Sequence, residues 1–600
     1  MLQSFDETAR PAQGPPRLAA LREVMRHEGL AGYLVPRADA HQGEYVAPHD
    51  ERLAWLTGFT GSAGFCAVLM DAAGVFIDGR YRTQIKAQVT TNHFTPVPWP
   101  ETALHDWLRG ALPDGGVVGF DPWLHTVETM RKLATGLEGT GITLRPTPAL
   151  VDGIWHDQPP PPQGAIAPYP EKLAGEAQTD KRSRLAAALR NAGQRAAVLT
   201  LPDSIAWLFN IRGSDIPRNP VPHCFAILHD SGRATLFAAP AKCNDALRAH
   251  LGEQVTLRPD TAFGAALRSL QGPVRIDPAS CPVQVGAQLQ EAAIAIAEAT
   301  DPCVLPKACK NSAEIAGARA AHLRDGAAVV EFLCWYDGQD ATRLTEIDLV
   351  TRLEQCRRDT DALRDISFDT IAGSGPNGAV IHYHVTRSSN RALQAGDLVV
   401  LDSGGQYLDG TTDITRTLPV GTPDESRRTA FTRVLRGMIA LSRLRFPPGA
   451  TGAHIDAIAR APLWLAGQDY DHGTGHGVGA YLCVHEGPQR ISRLSDQPLK
   501  PGMIVSNEPG YYREGAFGIR IENLIAVREA APLPGGDARE MLDFETLTLV
   551  PIDRRLIVPE MLAEEERAWL DAYHAQCRAA LSERLSPAAR AWLLDATAPL

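Results

Sequence analysis

Apolar and polar positions along the chain alternate in a way that predicts mixed α/β structure almost throughout. In "RLAALREVMRHEG" (17–29), leucine and methionine recur at helical spacing and a glycine ends the run, predicting a helix. A strand-like "AGYLVP" follows, and then short apolar runs separated by Gly and Asp turns continue to about Trp155. The proline-rich "PPPPQGAIAPYP" (159–170) predicts an extended linker. The order then starts again: "KRSRLAAALRNAG" as a helix, "AAVL" as a strand, "AWL" and a later glycine, and two strands joined by an Asp-containing turn. This is a diverged internal repeat of roughly a hundred residues per copy. A second boundary falls near Pro302–Lys307. Beyond it, "KNSAEIAGARAAHLRDGAAVVEFLCWYD" predicts a long amphipathic helix capped by Asn311 or Ser312, and "LTEIDLVTRLEQCRRD" predicts another. Strands and helices alternate to about Ile525. The last fifty or so residues read as two charged amphipathic helices, a packing or dimerisation appendage.

Within this pattern, 398–523 concentrates the candidate chemistry. Asp402 ends the apolar run "LVVL", the signature of a strand buried on both faces. Asp413 lies in "TTDITRT", where strand alternation groups Thr411, Asp413 and Thr415 on one face and turns Arg416 to the other. The intervening "YLDGTT" reads as a hairpin that brings the two aspartates together. Two carboxylates at that range require a shared proton or cation. His476 sits in "HGTGHGVG", where glycines suit a bulge or a close backbone approach. Glu508 precedes a Pro-Gly turn. Glu522 alternates with Arg520, so strand geometry puts both on one face and makes an Arg–Glu ion pair the bland alternative. His382 is read as the end of a short strand and His485 as the start of a loop. His384 and His472 have no evident role, and each histidine taken singly is unremarkable. Four carboxylates and one imidazole are a hard, oxygen-rich donor set. It favours a pair of Mn²⁺, Co²⁺, Fe²⁺ or Zn²⁺ ions that would activate water for hydrolysis.

Composition narrows the classes. Six hundred residues exceed one hydrophobic core, and the 44% apolar and 22% charged fractions are those of a soluble globular protein. A formal charge of −11 without a basic block argues against nucleic acid. No apolar run reaches the roughly 18 residues of a membrane span, and the start "MLQSFDETARPAQGPP" has no signal-peptide core, so a cytoplasmic location is expected. The ten cysteines form no CxxC pair, and Cys303 and Cys309 lack histidines at zinc-finger spacing. Free thiols in a reducing compartment are expected.

Together, "DSGGQYLDGTTDITRT", "GTGHGVG", "VHEGP", "NEPGYY" and "GIRIEN" resemble the pita-bread metallopeptidase family, in its long aminopeptidase P branch. "ADAHQGEYVAPHDERLAWLTGFTGSAG", "DGRY" and "NIRGSDIPRNPV" extend the likeness over nearly the whole chain. The resemblance implies an α/β (α+β) fold. Two creatinase-like α/β domains (1–158 and 177–305, joined by linker 159–176) precede a pita-bread catalytic domain (306–545) and a helical C-terminal extension (546–600). It implies removal of the residue before an N-terminal Xaa-Pro bond by a metal-bridging hydroxide, with two Mn²⁺ ions and a homodimer. By motif, Asp402 and Asp413 hold one metal, Asp413 and Glu522 bridge, and His476 and Glu508 complete the second. Glu508 is also the base and proton shuttle. His382 and His485 hold the substrate carbonyl, with His476 beside them, while Arg80 and Arg520 shape the substrate end. Asn507 replaces a frequent aspartate, which implies altered charge around the ligands. Prolidase and a non-catalytic binding protein are the competing readings. Methionine aminopeptidase is disfavoured by the two upstream domains, and no motif supports a separate partner-binding role for them.

Overall fold

The computed structural model describes all 600 residues, which form two compact units, Thr8–Lys307 and Met1–Glu7 with Ala308–Leu600. The first seven residues join the C-terminal unit because the Leu2 N–H donates to Glu354 (2.7 Å) and Phe5 lies in that unit's core.

The N-terminal unit holds two six-stranded sheets of the same design. The first runs, across the sheet, 95–98, 73–77, 65–69, 32–36, 116–120 and 142–146; the second runs 255–258, 234–237, 225–229, 196–199, 274–276 and 296–298. In both, the middle hairpins pair antiparallel and the flanking strands pair parallel. Two sheets that agree in strand order and in every pairing sense are what the repeated apolar pattern predicts. The halves are joined by backbone bonds such as Val127 N–H to Cys281 O (3.0 Å) and by Phe225 and Phe263 stacked at 4.4 Å beside Trp123. The polyproline stretch from Pro159 runs without regular structure as far as Ile166, after which the expected linker gives way to the short strand Ala167–Pro168 and the helical turn Glu171–Ala174.

The C-terminal unit opens with the helix Ser312–Asp337. Asn311, rather than Ser312, caps it, in a reciprocal box with Glu314. Helix Glu346–Arg358 follows, capped by Thr345. A three-stranded sheet (371–374, 398–403, 414–419) and a five-stranded sheet (486–491, 475–477, 504–507, 523–529, 542–546) carry the site, and the helices Glu425–Ser442 and Gly452–Trp464 cover them. The terminal helices are Glu564–Leu581 and Pro587–Ala596. They bury Leu570, Tyr573, Cys577, Leu581 and Leu593 against this unit, so they belong to its packing. All ten cysteines are free thiols, and no helix is long and apolar enough to cross a membrane.

Candidate metal centre

The strand Leu398–Ser403 is buried along its whole length and pairs antiparallel with Ile414–Pro419, Asp402 opposite Thr415 and Ser403 opposite Ile414. Asp413 stands one residue before the second strand and so reaches the same end of the pair. The expected hairpin is present, tipped by the short strands Gly405–Tyr407 and Gly410–Thr411. Arg416 does turn away from Asp413: its guanidinium donates to the carbonyls of Glu522 (2.7 Å) and Val550 (2.7 Å).

His476 occupies the strand Gly475–Gly477, whose pairing with Glu486–Ile491 slips between His476 and Gly477, the bulge its glycines suggested. A Cβ on Gly475 would lie 2.0 Å from the Ser506 carbonyl oxygen, so only glycine permits this approach. The His476 N–H donates to Ser506 Oγ (2.8 Å). Its Nδ1 donates to Gly477 O (3.0 Å), which fixes the tautomer and leaves Nε2 facing Asp413 Oδ2 (3.4 Å) and Glu508 Oε1 (3.5 Å).

Glu508 follows the strand Ile504–Asn507, its N–H held by Thr474 O (2.8 Å). Glu522 lies between the strands Phe517–Arg520 and Asn523–Glu529, not within one. Strand alternation therefore stops at Arg520, and the Arg520–Glu522 ion pair, the bland alternative to metal binding, does not form. Arg520 instead donates Nη2 to Asp402 Oδ2 (2.6 Å), while Glu522 Oε2 accepts from Thr415 Oγ1 (2.8 Å).

Asp402, Asp413 and Glu522 each present an oxygen within 4.8 Å of the others; His476, Glu508 and Glu522 form a second such trio, and Asp413, His476 and His485 a third. Glu522 is common to two of them and Asp413 to two. Burial, reinforced by Asp413 and Glu508 and opposed by Arg520, pushes the Asp402 carboxyl up to about 6. Burial and the same carboxylate neighbours push Glu522 far above its ordinary range, and Glu508 is raised for similar reasons. For His476, burial is outweighed by Asp413 and Glu508, and the imidazole rises to about 9. Asp402 Oδ1, Asp413 Oδ1 and Glu522 Oε1 are buried and accept no hydrogen bond. Each such oxygen costs roughly 1–3 kcal/mol or more when left bare. The gathering of Asp402, Asp413 and Glu522 within 4.8 Å, their bare oxygens, the raised carboxyls of Asp402, Glu508 and Glu522 and the oxygen-rich donor set all fit a pair of divalent cations.

The other predicted residues fall as follows. His485 immediately precedes the strand Glu486–Ile491 rather than opening a loop, and its ring meets His476 edge-on at 4.3 Å. His382 lies in a turn, not at a strand end. The strand Ile371–Ser374 stops earlier because Gly375, at φ +50°, and Pro376 start a 3₁₀ turn. Arg520 is 2% exposed, and its Nη1 donates to Tyr512 Oη (2.6 Å) and Ile381 O (3.3 Å). Its Nε also donates to Thr415 Oγ1 (3.3 Å), so most of its donors are engaged with the fold. Asn507 turns away from the carboxylates, donating to Met438 O and Ser442 Oγ (both 2.9 Å), so the expected change of charge around the ligands has no contact behind it. Arg80 belongs to the N-terminal unit and is paired with Asp78 at 2.7 Å.

Sequence reasoning put Thr415 on the face of Asp413 without giving it a role, missed Ser506 and Tyr512, and left His472 unplaced. His472 Nδ1 donates to Gly473 O (2.8 Å), so Nε2 accepts from Tyr512 Oη (2.9 Å), which links His472 through Tyr512 and Arg520 to Asp402. The run of tyrosines in "EPGYY" was the only available signal. His384 is partly exposed and pairs with Asp369 (3.1 Å).

This arrangement defines a metallopeptidase-type centre in a chain that also carries two creatinase-type sheets. The model for metallopeptidase family M24 matches 316–529, that for the C-terminal region of peptidase M24 matches 540–600, and creatinase/prolidase N-terminal domain models match 17–154 and 157–314. The chain is 39% identical over 586 residues to a probable Xaa-Pro aminopeptidase P of Aspergillus clavatus (93% of this chain, 88% of that one). It is 39% identical over 595 residues to one of Coccidioides posadasii (95% and 91%). Among solved structures, the X-prolyl aminopeptidase of Caenorhabditis elegans, described as a cytosolic enzyme with a di-nuclear active site, superposes with a TM-score of 0.93 at 34% identity (98% of this chain, 99% of that one). An Xaa-Pro dipeptidase from Bacillus anthracis shares the fold over 63% of this chain and 99% of its own (TM-score 0.51, 24% identity). The chain belongs to the Xaa-Pro aminopeptidase P group of metallopeptidase family M24.

Proposed function

We propose that the carboxylate–imidazole cluster is the catalytic centre of a metal-dependent aminopeptidase that removes the N-terminal residue of peptides with proline second. The observation that carries this reading is the convergence of three buried, hydrogen-bond-free carboxylate oxygens, from Asp402, Asp413 and Glu522. The proline rule rests on the activity of the relatives. Asp402 and Asp413 would hold one cation, Asp413 and Glu522 would bridge, and His476 with Glu508 would complete the second. When bound, two divalent cations, Mn²⁺ on the oxygen-rich donor set, neutralise the carboxylates and supply water acidic enough for hydrolysis near neutral pH.

The chain's own residues do the rest. Burial raises the proton affinity of Glu508, which suits a carboxylate that takes a proton from water and passes it to the departing amine. His485, edge-on to His476, and His382 would orient the scissile carbonyl and donate to the oxygen as it gains charge. Arg520 acts through Asp402, as a positioning residue, and Tyr512 holds Arg520 and His472 in register. Arg80 would shape the substrate end of the cleft. A cytoplasmic location fits the ten free thiols, and a homodimer is inferred from the resemblance.

The test is hydrolysis of Arg-Pro-Pro and of an Xaa-Pro dipeptide by chelator-stripped protein, before and after Mn²⁺, alongside Asp413→Asn. Tripeptide cleavage restored by metal and absent from the variant is expected. Cleavage confined to the dipeptide would reassign the chain as a prolidase, and silence with two metals bound would point to a binding protein.

A further inference from the structure

The N-terminal unit contains a second convergence of potential metal ligands, built from its two halves. Asp39 follows the strand Gly32–Pro36, and Asp50 ends the 3₁₀ turn Pro48–Asp50. His223, from the other half, leads into the strand Phe225–His229. One donor atom from each of the three lies within 4.8 Å of the other two.

Two features separate this cluster from an ordinary buried His–Asp pair. Asp39 Oδ2 and His223 Nε2 are 3.1 Å apart, both are buried, and neither makes a hydrogen bond. The two atoms are in ion-pair contact, off the geometry of a hydrogen bond. Their spacing is that of neighbouring ligands around one ion: bond lengths of about 2.0–2.1 Å put adjacent donors roughly 2.9 Å apart in octahedral and 3.4 Å in tetrahedral geometry. Asp39 is 1% exposed, so its bare oxygen has no water to turn to.

The surroundings hold the three donors in place. The His41 N–H donates to Asp39 Oδ1 (2.8 Å) and Arg52 donates to Asp50 Oδ1 (2.8 Å), so each carboxylate keeps its second oxygen for the cluster. The His223 N–H donates to Asp215 (2.7 Å), and Lys242 grips both Asp215 (2.8 Å) and the His223 carbonyl (3.2 Å). His41 donates Nδ1 to Thr200 O (3.1 Å) and packs its ring 4.6 Å from that of His223. Arg52 is divided between Asp50 (2.8 Å) and Asp152 (2.6 and 2.8 Å), so these two carboxylates carry one negative charge more than the guanidinium they share.

We propose that Asp39, Asp50 and His223 form a divalent-cation site of the zinc or manganese class that clips together the two halves of the N-terminal unit. Three protein donors leave room for water in the remaining positions, and carboxylates with an imidazole suit either ion. The site stands independently of the proposed catalytic reading.

The experiment uses the full-length protein, stripped with chelator, saturated with Zn²⁺ and desalted, with bound metal counted by mass spectrometry. Asp39→Asn and His223→Gln, each checked for native circular dichroism, are expected to carry one equivalent fewer than the unaltered chain, whatever the total. An unchanged count in the folded variants would overturn the proposal. Crystals of the unaltered protein soaked in Zn²⁺ guard against variants that fail to fold: an anomalous peak bounded by Asp39, Asp50 and His223 is expected, and no peak there at saturation would equally overturn it.

Discussion

Removing the metal from the C-terminal unit exposes a conflict that can be measured. Asp402 carries a carboxyl pushed from 3.8 to about 6 by burial and by Asp413 and Glu508, with Arg520 only partly offsetting them. In the metal-free protein the folded state therefore holds a proton on Asp402 that the unfolded chain releases near pH 4. For an acid shifted upward, stability falls as pH rises from the unfolded value through the folded one, because the native state binds more protons across that window. The shift of about 2 units corresponds to about 3 kcal/mol of destabilisation at pH 7.5, and roughly half of that is already present at pH 5. Other buried groups titrate too, so the contribution is isolated by difference. Asp402→Asn keeps the shape, and an acceptor for Arg520, but removes the charge. In the presence of chelator, urea denaturation should find this variant more stable than the unaltered chain by about 3 kcal/mol at pH 7.5, with the gap shrinking by about half at pH 5. With metal present the order should reverse, since the ion binds only the native state and needs the carboxylate. A metal-free Asp402→Asn that is less stable at pH 7.5, or a gap that widens toward acid, would refute the argument that the cluster is strained without its cations.

Three other perturbations test the frame around the site. Lys310 and Glu486, both buried, are ion-paired next to His485; Lys310→Met should cost about 3–5 kcal/mol in denaturation experiments, with part recovered on adding Glu486→Gln, and a loss below about 1 kcal/mol would deny the pair that role. Arg520→Met should weaken metal binding by roughly 10–100-fold in competition with a chelator and lower kcat more than it raises KM at saturating metal, whereas a pure KM effect would return Arg520 to substrate contact. Gly475→Ala, whose Cβ would sit 2.0 Å from Ser506 O, should cost on the order of 3 kcal/mol and abolish loading of the second metal position; a variant with unaltered metal content would mean the three strands can part without moving His476.

What could be read from the sequence was whatever rests on local pattern. The apolar run before Asp402, the hairpin to Asp413 and the glycines around His476 each specify their own backbone, so these three could be placed from local pattern, whereas Glu508 and Glu522 joined them through the family motifs. Alternation failed where a strand ended without a marker. Nothing in "GIRIENL" announces that pairing stops at Arg520, yet that break turns Glu522 toward Thr415 and sends Arg520 to Asp402. His382 was misplaced for the same reason, since "NGAVIHYH" is apolar enough for a strand but follows a 3₁₀ turn. Asn507 was given an influence on charge because it adjoins Glu508 in sequence, whereas strand geometry points consecutive side chains to opposite faces.

The Asp39 cluster marks the deeper limit. Asp39 and Asp50 lie in a polar stretch where carboxylates are common, and His223 comes from the other side of the proline-rich linker. Each is locally unremarkable, and no periodicity relates them. They meet because the second sheet repeats the first, so that the approach to the strand Phe225–His229 lies against the loop leaving Gly32–Pro36. Only the pairing of two like halves brings an imidazole from one to two carboxylates of the other. Neither half alone can supply all the donors. The sequence signal for a site of this kind is therefore distributed over both copies, and it becomes visible only when the two sheets are placed side by side.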